Sequence, residues 1–421
     1  MSLSRRALLA AIPAVTLAGC GADRPLRVAV VWSGDELRRF LDVVKEYPNG
    51  PVKVYSAGDN IGALLRGPAT EVIPDVAVIP RLGLLFDPVI RRRITPLEPR
   101  QDGEPRSPKF WRQLVMSEDG RELGAWFKIA HKSLVWHREG EVARPDNLGQ
   151  WEFEKGALSI GAADGWVLSD WFENVLLASA PEVYAGLFPP GQAAVTPDRP
   201  AGDPWWWGSP QIEHALTVLG SFWKSAFEPE QARRALTMQF QDSILDVFAY
   251  GTAKMVAAPD FALPVIKRFK PGHVVPQHFP FPRQAGGQLP LVVGGDVAVA
   301  LRTGPEDVGA EDFVDWLTRP PEAGKSDALT DWIKDGDFLR PYATPTEPLL
   351  ADPAARLDAA VNAHYDLSDR LIGALEGGDG RGLWRILTEL FSDVTVTGVD
   401  PATAAGTAKD KLVRGSKEGA L

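Results

Sequence analysis

The sequence of 421 residues contains a single cysteine, Cys20. One cysteine forms no intramolecular disulfide, so the fold has to rest on ordinary burial. Histidine is scarce as well: His131, His137, His214, His273, His278 and His364 are the full set, and no two of them fit the H-E-x-x-H zinc pattern. A zinc site would have to be assembled from distant histidines and carboxylates, so no metal and no cofactor is expected. The phosphate loop G-x-x-x-x-G-K-S/T and the nucleophile elbow G-x-S-x-G are both missing. The glycine-rich "GGDGRG" at 377–382 follows an apparent helix rather than a strand and reads as a turn. Basic residues are outnumbered by acidic ones, 45 to 55, for a net charge of −10, and no basic stripe is interleaved with aromatics. Such a surface repels phosphate backbones, and nucleic acid is excluded as a partner.

Cys20 stands at the end of "RRALLAAIPAVTLAGC", residues 5–20. Arg5 and Arg6, the apolar run 7–17 and the small residues Ala18 and Gly19 have the layout of a secretory signal. The run is too short to span a bilayer, which needs about 20 apolar residues. Its last four residues, Leu17-Ala18-Gly19-Cys20, resemble the lipobox of bacterial lipoproteins, in which cleavage leaves the cysteine as a lipid-bearing N-terminus. The expectation is a signal over 1–20, lipidation at Cys20 and anchoring on the extracytoplasmic face of the cell membrane, where two acyl chains hold stably. Ser4 to Leu9 also resembles a twin-arginine export motif, which leaves the Sec and twin-arginine routes both open.

The 421-residue chain is 45% hydrophobic and 24% charged, the balance of a globular protein with two or three domain-sized cores. Leu26 to Trp32 reads as a buried strand and Asp35 to Tyr47 as a helix stopped by Pro48-Asn49-Gly50. Strands over 52–55 and 75–79 with a short helix at 61–65 between them complete a strand-helix alternation that indicates an α/β domain with a mainly parallel sheet. Ligands of such sheets bind beyond the strand carboxyl ends, here around Trp32-Ser33, Gly58-Asp59 and Pro80. Farther on, strands are expected over 133–137, 254–258 and 291–301, and helices over 168–178, 209–226, 312–317 and 382–391. The small, polar tail after Asp400 is expected to fray, unless Asp400-Pro401 starts a short helix.

Tryptophan is abundant, with 14 copies. Trp32, Trp136, Trp166 and Trp171 fall at strand ends or helix starts, where an indole can cover the apolar face of a sugar ring while nearby carboxylates bind its hydroxyls. Most of the others belong in the core. Neighbouring residues cannot all face one pocket, so at most two indoles of "PWWWG" (204–208) can share a ligand; the segment is either a cleft wall or a buried loop. Asp170 and Glu173 lie three apart on one helical face, an arrangement more often solvated than catalytic.

Six segments then resemble, in order, the family 1 extracellular solute-binding proteins of ABC transporters, carbohydrate and α-glucoside type: "PDVAVIPRLGLL" (74–85), "KSLVWH" (132–137), "GWVLSDWFENVLL" (165–177), "GTAKMVAAPDF" (251–261), "GGDVAVALR" (294–302) and "YDLSDRLIGALEGGDGRGLWRIL" (365–387). The resemblance implies the α/β, two-lobed type II periplasmic-binding-protein fold with three interlobe crossings. Lobe one is expected at 25–129 and 270–316, lobe two at 130–269 and 317–398, and a tail at 399–421.

Carried over by position, the resemblance implies ligand contacts from Trp32, Ser33, Asp59, Pro80 and Gly83, from Trp166, Asp170, Trp171, Asp260 and Phe261, and from Gly294, Gly295 and Asp296, with Arg340 to Tyr342 on the rim. It further implies a monomer that is not an enzyme, with a carbohydrate or polyol ligand captured by hinge closure and delivered to the permease subunits. Two other readings compete. One is an ectodomain of the same fold whose cleft is plugged, by "PWWWG", and which serves as a protein partner. The other is a secreted glycosidase using Asp170 or Glu173.

Overall fold

The computed structural model describes residues 24–418 except 69–72, 101, 189–202, 204, 303–308, 321–325, 343–344 and 378–380. The signal layout and Cys20 lie outside the described residues. Among the described residues eleven strands run in chain order as β1 Leu26–Val30, β2 Val52–Ser56, β3 Val76–Ile79, β4 Ile94–Thr95, β5 Ala125–His131, β6 Leu134–Arg138, β7 Leu158–Ser159, β8 Met255–Ala257, β9 Pro276–Pro280, β10 Val292–Leu301 and β11 His364–Tyr365. The first sheet has the order β11-β10-β3-β1-β2, with β4 and β5 also on β10, and the second has the order β7-β8-β6-β9. Each sheet is the floor of one lobe.

β1 is parallel to both β2 and β3, and β10 closes the first sheet antiparallel to β3. All four residues of β3 are buried, the uniform apolar run required of a strand covered on both faces. Helix Gly34–Val44 turns Phe40, Val43 and Val44 inward and carries Asp35 and Glu36 in its first turn, where acidic groups suit the positive helix end. Together with helices Ala310–Thr318 and Ala328–Lys334 it covers one face of this sheet.

The second lobe is built around helix Gly165–Ser179, in which Val167 to Ala178 are all buried. Helices Pro210–Ala226, Gly382–Thr395 and Pro401–Glu418 surround it or its neighbours. Ser209 caps the second helix as its sequence predicts, accepting from the Ile212 N–H at 3.4 Å, with Pro210 in the first turn.

The lobes meet where three chain segments run side by side. The Lys132 N–H donates to Val292 O at 2.9 Å and the Val292 N–H to Ser133 Oγ at 2.8 Å. Beside them, the His364 N–H donates to Leu291 O at 2.9 Å and the Asp366 N–H to Val293 O at 2.7 Å. Gly295, at φ 156°, lets β10 press onto β5: a Cβ there would lie 2.3 Å from Lys128 O.

Four expectations need correction. Up to Glu418 the tail does not fray but takes the alternative of a helix started at Asp400-Pro401, longer than expected, and helix Pro401–Glu418 buries Ala404, Ala405, Ala408 and Leu412 on the lobe-two helices. β9 pairs with β6, so 276–280 belong to the second sheet rather than to lobe one. Helix Ala328–Lys334 packs on helix Gly34–Val44 and sets Trp332 against Trp32 just before that helix, and β11 pairs with β10, so these parts of 317–398 sit with lobe one. Strand β5 was not foreseen, because Lys128 and His131 interrupt its apolar pattern although both are buried. Among the described residues no helix is long and apolar enough to cross a membrane.

Candidate functional site

Lobe one, through the exposed Asp59, and lobe two, through the half-buried Asp164, face one another across an opening above the junction of the three crossings. On the lobe-two wall Trp166 occupies the first turn of helix Gly165–Ser179 and is half-buried. Its ring centre lies 4.8 Å from that of Phe240 and 6.0 Å from that of Phe261, and those two are 5.5 Å apart. Asp164 fixes this trio by accepting the Phe240 N–H at 2.6 Å. Burial raises the Asp164 pKa, and Asp59, facing it from the other lobe, raises it further.

Asp260 is buried just before Phe261. Its turn is held by Trp136, whose Nε1 donates to Ala258 O at 3.1 Å and to Pro259 O at 3.2 Å. Burial pushes the Asp260 carboxyl up to about 7 against the pull of the neighbouring His131 backbone N–H, and its Oδ2 has no hydrogen-bond partner. Trp136 therefore acts behind the wall, not on it.

The floor is an ion cluster. Lys132 Nζ pairs with Asp366, lies 3.3 Å from Asp170 Oδ1 and 3.5 Å from Asp369 Oδ2. It also stands 5.5 Å from the centre of the Trp166 ring. Gly294 leaves room for this side chain, since a Cβ there would sit 3.0 Å from Lys132 Cε. Burial alone would lower the Lys132 pKa, but Asp170, Asp366 and Asp369 together hold it well above its ordinary value. Asp366 is pulled down by Lys132 in spite of its burial. Burial, and then the charge on Asp366, push Asp369 up to about 7. Desolvation likewise raises Asp170, whose Oδ2 is unpartnered.

Glu173 lies one turn deeper. It accepts from Tyr184 Oη at 2.6 Å and from the backbone N–H groups of Leu367 and Ser368 at 2.6 and 3.2 Å. The expectation that Asp170 and Glu173 form a solvated face is corrected: they are 7% and 0% exposed. Asp170, Glu173 and Asp366 could bring carboxylate oxygens within 4.8 Å of one another, a spacing open to a metal ion. The cation beside Asp170 and Asp366 is the Lys132 ammonium, and Glu173 already accepts from Tyr184 and the third crossing.

On the lobe-one wall Trp32 Nε1 donates to Asp296 Oδ2 at 3.2 Å. Lys128 pairs with Glu36 and places its ammonium 4.1 Å from the Trp32 ring centre, 4.6 Å from that of Trp332 and 4.8 Å from that of Phe338. Trp32 is 6% exposed, so it offers an edge rather than a face. Burial raises Asp296 to about 6 although Lys128 opposes it. Tyr365 Oη ties this wall to the third crossing by donating to Pro80 O at 3.2 Å and Gly295 O at 3.3 Å. Ser33 and Asp59 are exposed at the mouth.

The expected site residues thus divide. Trp32, Asp59, Pro80, Gly295 and Asp296 lie on lobe one, and Trp166, Asp170, Asp260 and Phe261 on lobe two. Gly83 serves packing: its N–H donates to Asp369 O at 2.8 Å, and a Cβ would come 2.6 Å from Arg370 O. Trp171 faces away, 1% exposed and stacked on Trp151 at 5.5 Å with 15° between the planes. Arg340 is 3% exposed inside lobe one, its Nη2 on Leu317 O and Arg319 O, and Tyr342 is exposed beyond it; neither forms the rim of the opening. Within "PWWWG", Trp206 and Trp207 are buried, Gly186 abuts the Trp206 ring, and the segment packs beneath helix Pro401–Glu418. It neither lines nor plugs the opening. Lys132, Asp164, Phe240, Asp366 and Asp369 were missed; "KSLVWH" and "YDLSD" held three of them in plain view, but no local pattern joins a lysine to acids more than 200 residues away.

The mouth on the other side is latched by Arg268, at the end of helix Leu263–Phe269, which pairs with Asp35 of lobe one. Its neighbour Lys267 donates to Asp335 O at 2.7 Å.

No family model matches this sequence. Two curated proteins are similar over most of its length. The osmoprotective compounds-binding protein GgtB of Synechocystis sp. is 26% identical over 345 residues, covering 72% of this chain and 74% of that protein. The alpha-glucosides-binding periplasmic protein AglE of Rhizobium meliloti is 24% identical over 393 residues, covering 82% and 80%. Among solved structures, one determined in work on xylan utilization by Caldanaerobius polysaccharolyticus superposes with a TM-score of 0.69 at 13% identity, over 92% of this chain and 99% of that one. RafE of Streptococcus pneumoniae gives 0.65 at 12% identity over 93% and 98%. MalX of the same species, solved with maltopentaose, gives 0.60 at 14% identity over 92% and 99%. The shared fold is the α/β, two-lobed architecture that the sequence resemblance implied.

Proposed function

We infer that this chain is a solute-binding protein of an ABC importer, of the carbohydrate-binding family 1 type, and that it binds an oligosaccharide or polyol between its lobes. The observation that carries the reading is the opposition of two unlike walls across one hinge. Trp166 and Phe261 offer half-buried ring surface for the apolar face of a sugar, with the buried Phe240 ring behind them, and Asp170 and Asp260 each hold an unpartnered carboxylate oxygen beside it. Asp59, Pro80, Gly295 and Asp296 meet the same ligand from lobe one. A ligand that touches both walls binds the closed form better than the open one, and this difference shifts the population toward closure. The closed, loaded form is what the permease subunits receive. The two curated relatives are named as binding proteins for osmoprotective compounds and α-glucosides, which supports this ligand class.

The reading extends to a monomer tethered outside the membrane by lipid on Cys20. Binding rather than catalysis fits the acid pair: Glu173 is held by Tyr184 and two backbone N–H groups, and Asp170 by Lys132. A tryptophan-fluorescence titration of residues 21–421 against α-linked disaccharides, longer oligosaccharides and polyols tests the function. Saturable binding without product formation is expected; release of product from a glucoside would replace the reading with the glycosidase. Radiolabelled palmitate incorporated by the wild type and not by Cys20→Ser tests the anchor.

A further inference from the structure

We propose that the saccharide taken by this cleft carries a basic nitrogen, as an amino sugar or amine-bearing glycoside bound in its protonated form. The inference rests on the carbohydrate reading and adds a charge to the ligand class.

Its first ground is the charge balance at the floor. Asp170, Asp366 and Asp369 all converge on one ammonium, that of Lys132. Asp260 and Asp296 lie within the field of that same ammonium. A second lysine, Lys128, already faces Glu36 as well as Asp296 and is enclosed by Trp32, Trp332 and Phe338. Arg81 is engaged by Glu376 at 2.8 Å. Asp59 and Asp164 add acid from the two rims, where they oppose one another. Closing the lobes over this surplus removes water from like charges, which is costly unless a cation enters with the ligand.

The second ground is independent of the count. Asp170 Oδ2 and Asp260 Oδ2 have no hydrogen-bond partner, on residues 7% and 2% exposed. A sugar hydroxyl can satisfy such an oxygen but brings no charge, whereas an ammonium donates up to three hydrogen bonds and neutralises. Third, the Trp166 ring already has an ammonium over it at 5.5 Å, and Phe240 and Phe261 extend the same aromatic surface. An amino sugar uses both properties of such a wall, ring stacking and attraction of a cation. Uronic acids and sugar phosphates meet a surplus of acid, because Lys132 and Lys128 are already paired with Asp366 and Glu36.

Two matched pairs of probes decide the matter by calorimetry on residues 21–421: trehalosamine against trehalose, and the β-1,4 glucosamine disaccharide against its N-acetylated form. In at least one pair the amine is expected to bind roughly tenfold or more tightly, a gap that Asp170→Asn narrows. The wild type supplies a second readout that needs no variant. Burial holds Asp260 and Asp369 up to about 7 and Asp296 up to about 6, so binding of a 2-aminoethyl glycoside, whose alkyl amine stays protonated as a lysine does, should tighten from about pH 5.5 to about pH 7.5 as they ionise. Binding of the neutral member equally well, or affinity that weakens over that pH range, overturns the charge inference and leaves the carbohydrate reading intact. Binding of spermidine with no saccharide bound overturns the carbohydrate reading and the proposal resting on it. Failure of every probe overturns both.

Discussion

Lys132 Nζ lies 3.3 Å from Asp170 Oδ1, so a residue of the first interlobe crossing is tied directly to the central helix of lobe two. The same ammonium pairs with Asp366 on the third crossing, and Asn174 Nδ2 donates to Lys132 O at 3.2 Å. One buried charge thus sets the relative positions of two crossings and a helix. Removing it strands three carboxylates in low dielectric. Lys132→Met is expected to cost about 3–5 kcal/mol of stability near neutral pH, the usual cost of breaking a buried pair. Under mildly acidic conditions the stranded carboxylates protonate and the deficit shrinks. Chemical denaturation of variant and wild type at the two pH values measures it; an equal deficit at both would mean that Lys132 acts by packing alone.

Trp166 and Trp171 sit on one helix and should fail differently. Trp171 is 1% exposed, enclosed by Trp151, Phe153 and Phe281. Trp171→Ala leaves a large cavity, and a loss of about 3–5 kcal/mol is expected. Trp166 is half-buried at the opening, so Trp166→Ala should leave the melting temperature within a few degrees of wild type and weaken saccharide binding at least about tenfold. Calorimetric melting and ligand titration of the two variants separate core from wall. A large stability loss in Trp166→Ala with unchanged affinity would remove that side chain from the site.

How much of this was legible in the sequence follows from the range over which each cause acts. β3 is an apolar run covered on both faces, β1 is apolar but for the half-buried Arg27, and the Ser209-Pro210 cap is a local hydrogen bond, so all three could be read from neighbours in the chain. β5 could not, because Lys128 and His131 look like surface residues until Glu36, the aromatic rings and the junction surround them. The tail looks featureless, yet Ala404, Ala405, Ala408 and Leu412 form a stripe at helical spacing that only a docking partner reveals. Of the fourteen tryptophans ten are buried, in keeping with reading most of them as core, and of Trp32, Trp136, Trp166 and Trp171 only Trp166 keeps part of its surface free. The Lys132–Asp366 pair spans 234 residues, and no local spacing encodes it.

Asp260 gives the protein a pH-dependent liability whose sign is fixed by its burial. Its folded-state pKa is raised to about 7 from an ordinary 3.8, so between those values the folded chain holds a proton that the unfolded chain releases. Its contribution is therefore most favourable in acid and is lost as pH rises toward about 7, at a cost of up to about 4 kcal/mol once ionised. His131, pushed down by burial to about 3, works the other way and loses stability as pH falls below its ordinary 6.5. Asp260→Asn should consequently be more stable than wild type near pH 8 and no different near pH 4, while the acid limb persists. Thermal melts across that range check it; a constant offset would show that the carboxyl is not titrating.

The Arg268–Asp35 pair bridges the lobes at the mouth with both side chains more than half exposed, 58% and 51%. An exposed ion pair contributes only about 0.2–1 kcal/mol and is screened by salt, so it does not hold the fold together. Its effect falls on the balance between open and closed forms, because Arg268 belongs to lobe two and Asp35 to lobe one. Arg268→Glu turns an attraction into a repulsion that exists only when the lobes are shut. Faster ligand dissociation is expected, with affinity reduced by less than about fivefold at low salt and the difference vanishing at high salt. The melting temperature of the ligand-free protein should not change. The exchanged double variant, Arg268→Asp with Asp35→Arg, restores the attraction with its ends reversed and should recover slow dissociation in stopped-flow measurements. If the double variant stays fast, the pair acts by some means other than charge across the mouth.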